Sequence, residues 1–250
     1  MISVCIATYN GERFIKEQLS SILQQLNSDD EVIISDDGSS DRTLEIIREL
    51  NSPLVKIYIN NGEHGYTPNF ENAIKHSKGE YIFISDQDDI WLPDKVKVCM
   101  DYLNEADFVV SDAMLIDGKG MKIGDSFCAL RKSKFGLINN LIRFSYLGCC
   151  FAFRRNILDK ALPFPSNHVL CTHDNWLAIV AMAFYRSKFI SRPLIRYRRY
   201  GGNTSSGAAK STKTLVFMLK YRLYLIWNLL KRAIQVLTQP FLIHNGFKPS

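Results

Sequence analysis

The last part of this chain contains no acidic residue. Asp174 is the last of the 25 Asp and Glu residues, and 13 of the 31 Lys and Arg residues follow it. The stretch up to Asp174 is therefore acidic, although the whole chain carries a net charge of +6. A basic tail on an acidic body indicates a phosphate-rich partner, which leaves a nucleotide, a nucleic acid or an anionic membrane surface open.

Other signals are also missing. The six cysteines show no CxxC pair, so we expect reduced thiols and neither a disulfide framework nor a zinc site. The start has no basic segment followed by a cleavage site, which predicts a cytoplasmic protein without a signal peptide. No apolar run reaches the roughly 20 residues that cross a bilayer. No GxGxxG follows the first apolar run, which argues against a dinucleotide oxidoreductase.

What is present has the composition of a globular protein, with 46% apolar and 22% charged residues. Short apolar runs alternate with helical periodicity through the first hundred residues. The predicted strands are 2–8, 31–35, 55–59 and 81–85. This alternation is typical of βαβ units and predicts a parallel sheet with helices on both faces.

Polar clusters follow three of these strands. They are Thr8-Tyr9-Asn10, Asp36-Asp37-Gly38-Ser39 and Asp86-Gln87-Asp88-Asp89. Parallel strands end at the same edge of a sheet, and in open α/β sheets ligands bind at that edge. The three clusters therefore predict one site.

The third cluster holds three carboxylates in four residues. Like charges at this spacing repel one another, and a hard divalent cation with oxygen ligands offsets the repulsion. The alternative is an acidic helix N-terminus, because Pro93 fits a first helical turn and Asp is favoured there.

The second half is less regular. We predict a helix over 95–103, a strand over 108–116, a polar loop over 118–136 and a strand over 148–153. Asp174 lies at or near the start of an apolar helix, and the last strand is predicted over 193–200. A Gly- and Ser-rich linker follows over 201–207.

A basic amphipathic helix is predicted over 214–237. One face carries Leu and Ile residues, and Lys and polar residues lie on the other. Such a helix is typical of the interface of an anionic membrane, and the alternative is a helix packed on the domain or on a partner subunit. A nucleic-acid binder would explain the basic tail but not the acidic strand ends.

These motifs resemble, in order and spacing, the inverting glycosyltransferases of family 2 with the GT-A fold, a Rossmann-like α/β fold with a mostly parallel sheet flanked by helices. The resemblance rests on Thr8-Tyr9-Asn10-Gly11, residues 36–41, Gly79-Glu80-Tyr81 and residues 86–89. It covers about residues 1–205. His173-Asp174-Asn175-Trp176 and residues 197–203 look like the bacterial rhamnosyltransferase-like subgroup.

The resemblance implies roles for particular residues. Tyr9 would stack on the nucleotide base with Thr8 and Glu12 beside it, and Asp37 would accept a hydrogen bond from the base. The residues expected to support nucleotide binding are Asp36, Asn69 and Asp86. Asp86 and Asp88 form the DxD pair that would hold Mg²⁺ or Mn²⁺, and Asp174 matches the general base. Less specific candidates are Asp89, His173 as a second base, and Arg196 and Arg198 near the diphosphate.

The implied organisation is a glycosyltransferase domain over 1–205 and a basic amphipathic helical tail over 206–250. Within the domain, 1–110 would bind the nucleotide sugar and 111–205 the acceptor. The implied reaction moves a sugar from dTDP-rhamnose, or a hexose from a UDP-sugar, to a growing and lipid-linked glycan. Residues 210–237 would hold the protein peripherally at the inner face of the plasma membrane, with no nucleic acid partner. The alternative is a non-catalytic nucleotide- or glycan-binding relative that acts as a scaffold in polysaccharide assembly.

One departure from the family pattern concerns Tyr200. Related proteins often carry His at this position, in a Tyr-Arg-x-His run. If that His contacts the metal or the diphosphate, its role is missing here or is taken over by an Arg.

Overall fold

The structure is a computed structural model, and it describes residues 1–201 and 214–238. Within these residues, nine strands form one sheet that helices flank. The strands are β1 Ile2–Thr8, β2 Glu31–Asp36, β3 Val55–Ile59, β4 Tyr81–Ser85, β5 Ile90–Trp91, β6 Phe108–Asp117, β7 Lys122–Gly124, β8 Phe151–Arg154 and β9 Ser187–Arg199. The α-helices are α1 Ile15–Leu23, α2 Thr43–Glu49, α3 Tyr66–His76, α4 Lys95–Leu103, α5 Phe127–Arg131, α6 Leu137–Ile142, α7 Leu158–Ala161, α8 His173–Phe184 and α9 Leu215–Thr238.

The sheet has the strand order β3-β2-β1-β4-β8-β6-β9-β5, and β7 pairs with β6 at its side. The first four strands in this order are parallel, as the sequence predicts. The second half is mixed, since β8 runs antiparallel to β4 and to β6, whereas β6 and β9 are parallel. β1, β2 and β4 therefore end at one edge of the sheet.

The core lies between the sheet and its helices. β1 and β2 are buried along nearly their whole length, which explains why their apolar residues run continuously instead of alternating. Helix α1 buries Ile15, Leu19 and Ile22, which share one face of a helix with 3.6 residues per turn. The described cysteines are all free, as predicted, and only Cys128 among them is partly exposed.

Three boundary predictions were wrong. The polar loop predicted over 118–136 contains β7 and α5, whose short lengths leave too little periodicity to recognise. Residues 148–150 form a 3₁₀ turn before β8, although an unbroken strand was predicted there. The last strand begins at Ser187, six residues before the predicted start at Pro193. The strand continues through this proline because the pairing register of β6 and β9 shifts there.

Helix α9 packs on the domain through a stripe centred on Leu225, which is fully buried. The Tyr224 hydroxyl accepts a hydrogen bond from Asn167 N at 3.0 Å, and the Tyr221 hydroxyl contacts the side-chain amide of Asn175. Within residues 1–201 and 214–238, no helix is long and apolar enough to cross a membrane. The predicted linker beyond Gly201, the predicted boundary at 205 and residues 239–250 of the tail lie outside the described residues.

Candidate active site

Thr8 and Asp36 join the ends of β1 and β2. The Thr8 hydroxyl donates to Asp36 Oδ2 at 2.9 Å, and both side chains are buried. Asp36 also accepts hydrogen bonds from the backbone N–H groups of Gly38 and Ser39 and from the Ser39 hydroxyl. Asp36 thus braces the loop after β2, and its acceptor capacity is directed at the protein itself.

Asp37 lies beside this brace and faces the loop after β3. Its carboxylate accepts hydrogen bonds from Asn60 Nδ2 at 2.7 Å and Gly65 N at 2.8 Å, and His64 Nδ1 lies 3.1 Å away. The ring of Tyr9, also at this edge, is largely exposed. The edge therefore offers an accessible aromatic ring next to an oriented carboxylate.

Gln87 ties the acidic cluster to the end of β1. Its side-chain amide accepts from Tyr9 N and donates to Tyr9 O, both at 3.0 Å. A Cβ on Gly11 would lie 2.4 Å from Gln87 Oε1, so a larger residue there would displace the Gln87 amide. Gln87, the second of the four cluster residues, therefore fixes the spacing between the end of β4 and the end of β1.

The three carboxylates of residues 86–89 are crowded. Burial, together with the charges of Asp88 and Asp174, raises the pKa of Asp86 to about 7. Burial also raises the pKa of Asp89 well above its usual range, with added repulsion from Asp88 and Asp86. The effect of Asp174 on Asp86 shows that the predicted base and the predicted metal pair share one electrostatic site.

Arg198 and Tyr200 contact this cluster from β9 and the residue just beyond it. The Arg198 N–H donates to Asp89 Oδ1 at 2.9 Å, and its guanidinium donates to Asp88 O at 2.8 Å. Burial raises the pKa of Asp88, and a hydrogen bond with Tyr200 opposes that rise. Tyr200 therefore contacts a predicted metal ligand from the position where the family resemblance leads us to expect His.

Lys95 is a charged residue that the sequence analysis missed. It is fully buried, its Nζ donates to Cys149 O at 2.8 Å, and it lies 4.6 Å from the centre of the Trp91 ring. Its charge lowers the pKa of Asp86, against the larger effects that raise it. The spacing of Lys95, Cys99 and Leu103 at every fourth residue was the available signal, because it places all three on the buried face of α4.

Asp174 lies in the first turn of α8. Its Oδ1 accepts a hydrogen bond from Asn175 N at 2.8 Å and another from the Thr172 hydroxyl. The phenol pKa of Tyr66 and that of Tyr221 are raised by burial and then by the charge of Asp174. Two tyrosines, one from α3 and one from α9, therefore lie near this carboxylate, and sequence reasoning identified neither.

The His173 side chain packs inside the protein. Its ring stacks on Phe70, with 4.1 Å between the ring centres, and it is 5% exposed. Burial lowers its pKa to about 4, and among the described residues neither ring nitrogen has a hydrogen-bond partner. The ring is therefore neutral at pH 7 and belongs to the packing beneath Asp174.

The remaining predicted site residues differ in their exposure to solvent. Asn69 is buried and donates from Nδ2 to Thr8 O at 3.1 Å, so it supports the end of β1. Glu12 is exposed and accepts from Arg42 N at 3.0 Å. Arg196 and Arg198 share β9, but Arg196 is exposed whereas Arg198 is 2% exposed.

The acidic cluster fits a hard divalent cation. Asp86, Asp89 and Cys149 offer ligand atoms within 4.8 Å of one another. Asp89 Oδ2 is buried and has no hydrogen-bond partner in the described part of the chain. The Cys149 thiol stays protonated, because a hydrogen bond with Cys150 and then burial raise its pKa. The available ligands are therefore carboxylate oxygens, which suit Mg²⁺ and Mn²⁺.

Comparison with known sequences agrees with this geometry. The family model "Glycosyl transferase family 2" matches residues 3–162. The dTDP-rhamnosyl transferase RfbG of Shigella flexneri is 33% identical over 220 residues, covering 79% of this chain and 72% of that protein. The UDP-Glc:alpha-D-GlcNAc-diphosphoundecaprenol beta-1,3-glucosyltransferase WfgD of Escherichia coli is 26% identical over 198 residues, covering 76% of each.

Solved structures share the architecture. The crystal structure of S. aureus TarS 1-349 in complex with UDP-GlcNAc matches with a TM-score of 0.70 at 20% identity, covering 91% of this chain. This chain spans 66% of that TarS chain. The mannosyltransferase PcManGT from Pyrobaculum calidifontis, in complex with GDP-Man and Mn²⁺, matches with a TM-score of 0.60 at 20% identity, covering 94% of this chain and 74% of that one. These matches show a GT-A fold.

Proposed function

This chain belongs to glycosyl transferase family 2, and from that premise we propose that it moves a sugar from a nucleotide donor to a hydroxyl group with inversion. The family match and the similar solved structures confirm the family and the GT-A fold that the sequence motifs predicted. The assignments of donor, acceptor, metal and individual residues are proposals. Residues 1–110 are proposed to bind the donor, and 111–205 the acceptor.

One observation carries the proposal. A Cβ on Gly148 would lie 3.0 Å from Asp174 Cβ, and the next residue, Cys149, has its thiol within 4.8 Å of the Asp86 and Asp89 carboxylates. The carboxylate proposed as base therefore lies close to the carboxylates proposed to hold the diphosphate metal. An inverting transfer needs this arrangement, because the acceptor oxygen attacks the sugar on the face opposite the leaving group. A module that only binds a nucleotide or scaffolds other enzymes has no use for the second carboxylate.

In the proposed mechanism, Asp174 takes the proton of the acceptor hydroxyl as that oxygen bonds to the anomeric carbon. The bond from the anomeric carbon to the phosphate oxygen breaks, and its electron pair leaves with the nucleoside diphosphate. Thr172 and Asn175 hold Asp174 Oδ1, which leaves Oδ2 to receive the proton. A positioned carboxylate of this kind typically contributes about 10²–10⁴-fold to the rate.

Asp86 and Asp88 would hold Mg²⁺ or Mn²⁺, and Asp89 supports the same group from the buried side. The cation supplies Lewis-acid stabilisation of the negative charge that grows on the diphosphate. Lys95 and Arg198 contribute fixed positive charge and hydrogen bonds beneath the carboxylates. Tyr9 and Asp37 are proposed to contact the base of the nucleotide.

The favoured donor is dTDP-rhamnose, supported by the similarity to a dTDP-rhamnosyl transferase, and a UDP-hexose is second. A lipid-linked acceptor is supported by the similarity to a transferase named for a diphosphoundecaprenol substrate. The basic helix α9 is proposed to hold the enzyme at the inner, anionic face of a membrane, near such an acceptor.

The proposal is tested by release of nucleoside diphosphate from dTDP-rhamnose, UDP-glucose and related donors, with Mn²⁺, Mg²⁺ or EDTA. The variants are Asp88→Asn and Asp174→Asn, with Asp101→Asn as the control because Asp101 is exposed on α4. We expect metal-dependent release from one donor, lost in Asp88→Asn and kept in the control. Asp174→Asn should still bind that donor without turning it over. A wild-type protein that binds a donor but never transfers, even to a lipid-linked acceptor, would instead be a scaffold.

A further inference from the structure

Exposed apolar side chains are concentrated on two segments. The described residues include twenty large hydrophobic side chains with high exposure, and twelve of them lie in residues 130–142 or on α9. They are Leu130, Phe135, Ile138, Ile142, Leu215, Val216, Leu219, Leu223, Ile226, Trp227, Leu230 and Ile234. Apolar side chains scattered singly are normal, whereas a contiguous group indicates an interaction surface.

The two segments adjoin. Arg222 of α9 donates from Nη2 to Ile142 O at 2.7 Å, which places the end of α6 beside α9. Arg222 lies at the border between the packed and the open face of α9, since it is about 60° around the helix from the buried Leu225. The open face of α9 therefore continues onto α6.

Helix α6 presents its apolar residues outward for a structural reason. Its inner face is held by Asn140, which is fully buried and lies with Nδ2 2.8 Å from Met182 Sδ of α8. Ile138 and Ile142 are one helical turn apart on the outer face, with 72% and 58% exposure. These isoleucines add nothing to the core, so core packing does not explain why they are apolar.

Charge identifies the partner. Residues 126–158 contain no Asp or Glu, and Arg131, Lys132, Lys134 and Arg143 lie among the exposed apolar positions. Lys220 and Lys231 border the open face of α9, where no acid occurs after Asp174. We call residues 130–143 together with the open face of α9 the basic apolar surface. Two copies meeting through it would bring like charges together, which disfavours a homodimer.

We propose that the basic apolar surface docks on an anionic lipid bilayer, with residues 130–143 as a second lipid contact beside α9. The inference rests on the proposed function, which already places α9 at a membrane. The apolar side chains enter the boundary between headgroups and acyl chains, while the Lys and Arg residues contact lipid phosphates. Because α9 also contacts Asn175 next to Asp174, the docked protein has its proposed base on the side of the bilayer.

The test is co-sedimentation of the full chain with phosphatidylcholine vesicles, with and without about one third phosphatidylglycerol. The variants are Ile138→Asp with Ile142→Asp, and Leu219→Asp with Leu223→Asp. Ile59→Asp is the matched control, because Ile59 is also exposed but lies on β3 at the far edge of the sheet. We expect salt-sensitive binding to the anionic vesicles that falls about tenfold in each double variant and not in the control. Nucleoside diphosphate release without vesicles should be unchanged in all three.

The outcomes separate the two proposals. If only the α9 double variant loses binding, residues 130–143 are not a lipid contact and this inference is wrong, whereas the membrane role of α9 stands. Equal binding to neutral vesicles, or a wild-type dimer in place of vesicle binding, would also overturn it. Absence of transfer from every donor would overturn the proposed function, and vesicle binding would report on the surface independently.

Discussion

Arg198 Nη2 lies 2.6 Å from Glu17 Oε2, so an ion pair joins β9 to α1 across 181 positions of the chain. The same guanidinium donates to Asp88 O and lies 4.4 Å from the centre of the Phe14 ring. Its backbone N–H donates to Asp89 Oδ1. One residue from late in the chain thus holds the acidic turn that follows β4.

Replacing Arg198 should loosen that turn. We expect Arg198→Met to lower the free energy of unfolding by about 2 kcal/mol, because a buried carbonyl loses a charged donor. Its Mn²⁺ affinity should fall about tenfold, as is typical when a residue behind a ligand is removed. Glu17→Gln is the control and should cost less than about 1 kcal/mol, since the Glu17 side chain is half exposed and solvent screens the pair. Urea unfolding and isothermal titration measure both quantities, and equal losses in the two variants would contradict this account.

Tyr200→Phe tests whether the hydroxyl orients Asp88. The ring and its edge contact with Phe14 at 4.9 Å remain in this variant, and only the hydrogen bond to the carboxylate is removed. We expect Mn²⁺ affinity to fall about tenfold, with unchanged thermal stability in EDTA. Tyr200→His, which supplies a ring nitrogen in place of the hydroxyl, should recover part of the affinity. Unaltered Mn²⁺ binding in Tyr200→Phe would remove the hydroxyl from the account of the site.

The crowded carboxylates predict a pH-dependent stability of the metal-free protein. Because the folded state raises the pKa of Asp86 from 3.8 to about 7, it binds this proton more tightly than the unfolded state does. Stability from this group therefore rises as pH falls through 7. In EDTA we expect the Tm to increase from about pH 8 to about pH 6.5, and to increase less in Asp86→Asn, which is neutral at both and leaves only Asp88 and Asp89 with raised pKa values.

Added Mn²⁺ should abolish that increase, because a cation favours the ionised carboxylate. Differential scanning calorimetry with Mn²⁺ and with EDTA makes the comparison. A wild-type Tm in EDTA that does not change over this range would show that the folded state leaves Asp86 with its ordinary pKa.

His173 should be dispensable for chemistry. We expect His173→Leu to keep kcat within about threefold of wild type, whereas Asp174→Asn loses about 10²–10⁴-fold. The lowered pKa of His173 means that the unfolded state binds its proton first, so this group removes stability as pH falls from 6.5 towards 4. His173→Leu should therefore be less acid-sensitive than wild type in that range. A large loss of kcat in this variant, with stability intact, would make His173 a second base.

The sequence was sufficient to locate the strands of the first half of the sheet and the polar residues at their ends. Each of these strands is a short apolar run that ends in polar residues, so strand ends and site residues are local signals, as with Thr8 and residues 86–89. The role of Asp36 as a brace was not visible, because it depends on where the Gly38 and Ser39 N–H groups point. The ion pair of Glu17 with Arg198 could not be predicted, since nothing local connects residues so far apart.

The face on which α9 packs also escaped prediction. Periodicity placed Leu215, Leu219 and Leu223 on one apolar face, yet these residues are exposed and the helix packs through Tyr221 and Leu225. Amphipathicity reports that a helix has two faces, but it does not say which face meets the domain. Here Tyr221 and Leu225 pack on the domain, and Leu215, Leu219 and Leu223 remain exposed.

Most residues proposed for the donor come from the first 90 positions, on β1, β2, α3, β4 and the loops after the strands, and Arg198 supports them from β9. Asp174, and Tyr221 near it, come from helices far along the chain. The part of the catalytic pocket that would choose the acceptor is therefore encoded separately from the part that would bind the nucleotide. A lineage can exchange one glycan linkage for another by altering the later segments while its earlier strands stay unchanged, and chimeras joined between β4 and α8 would exploit the same division.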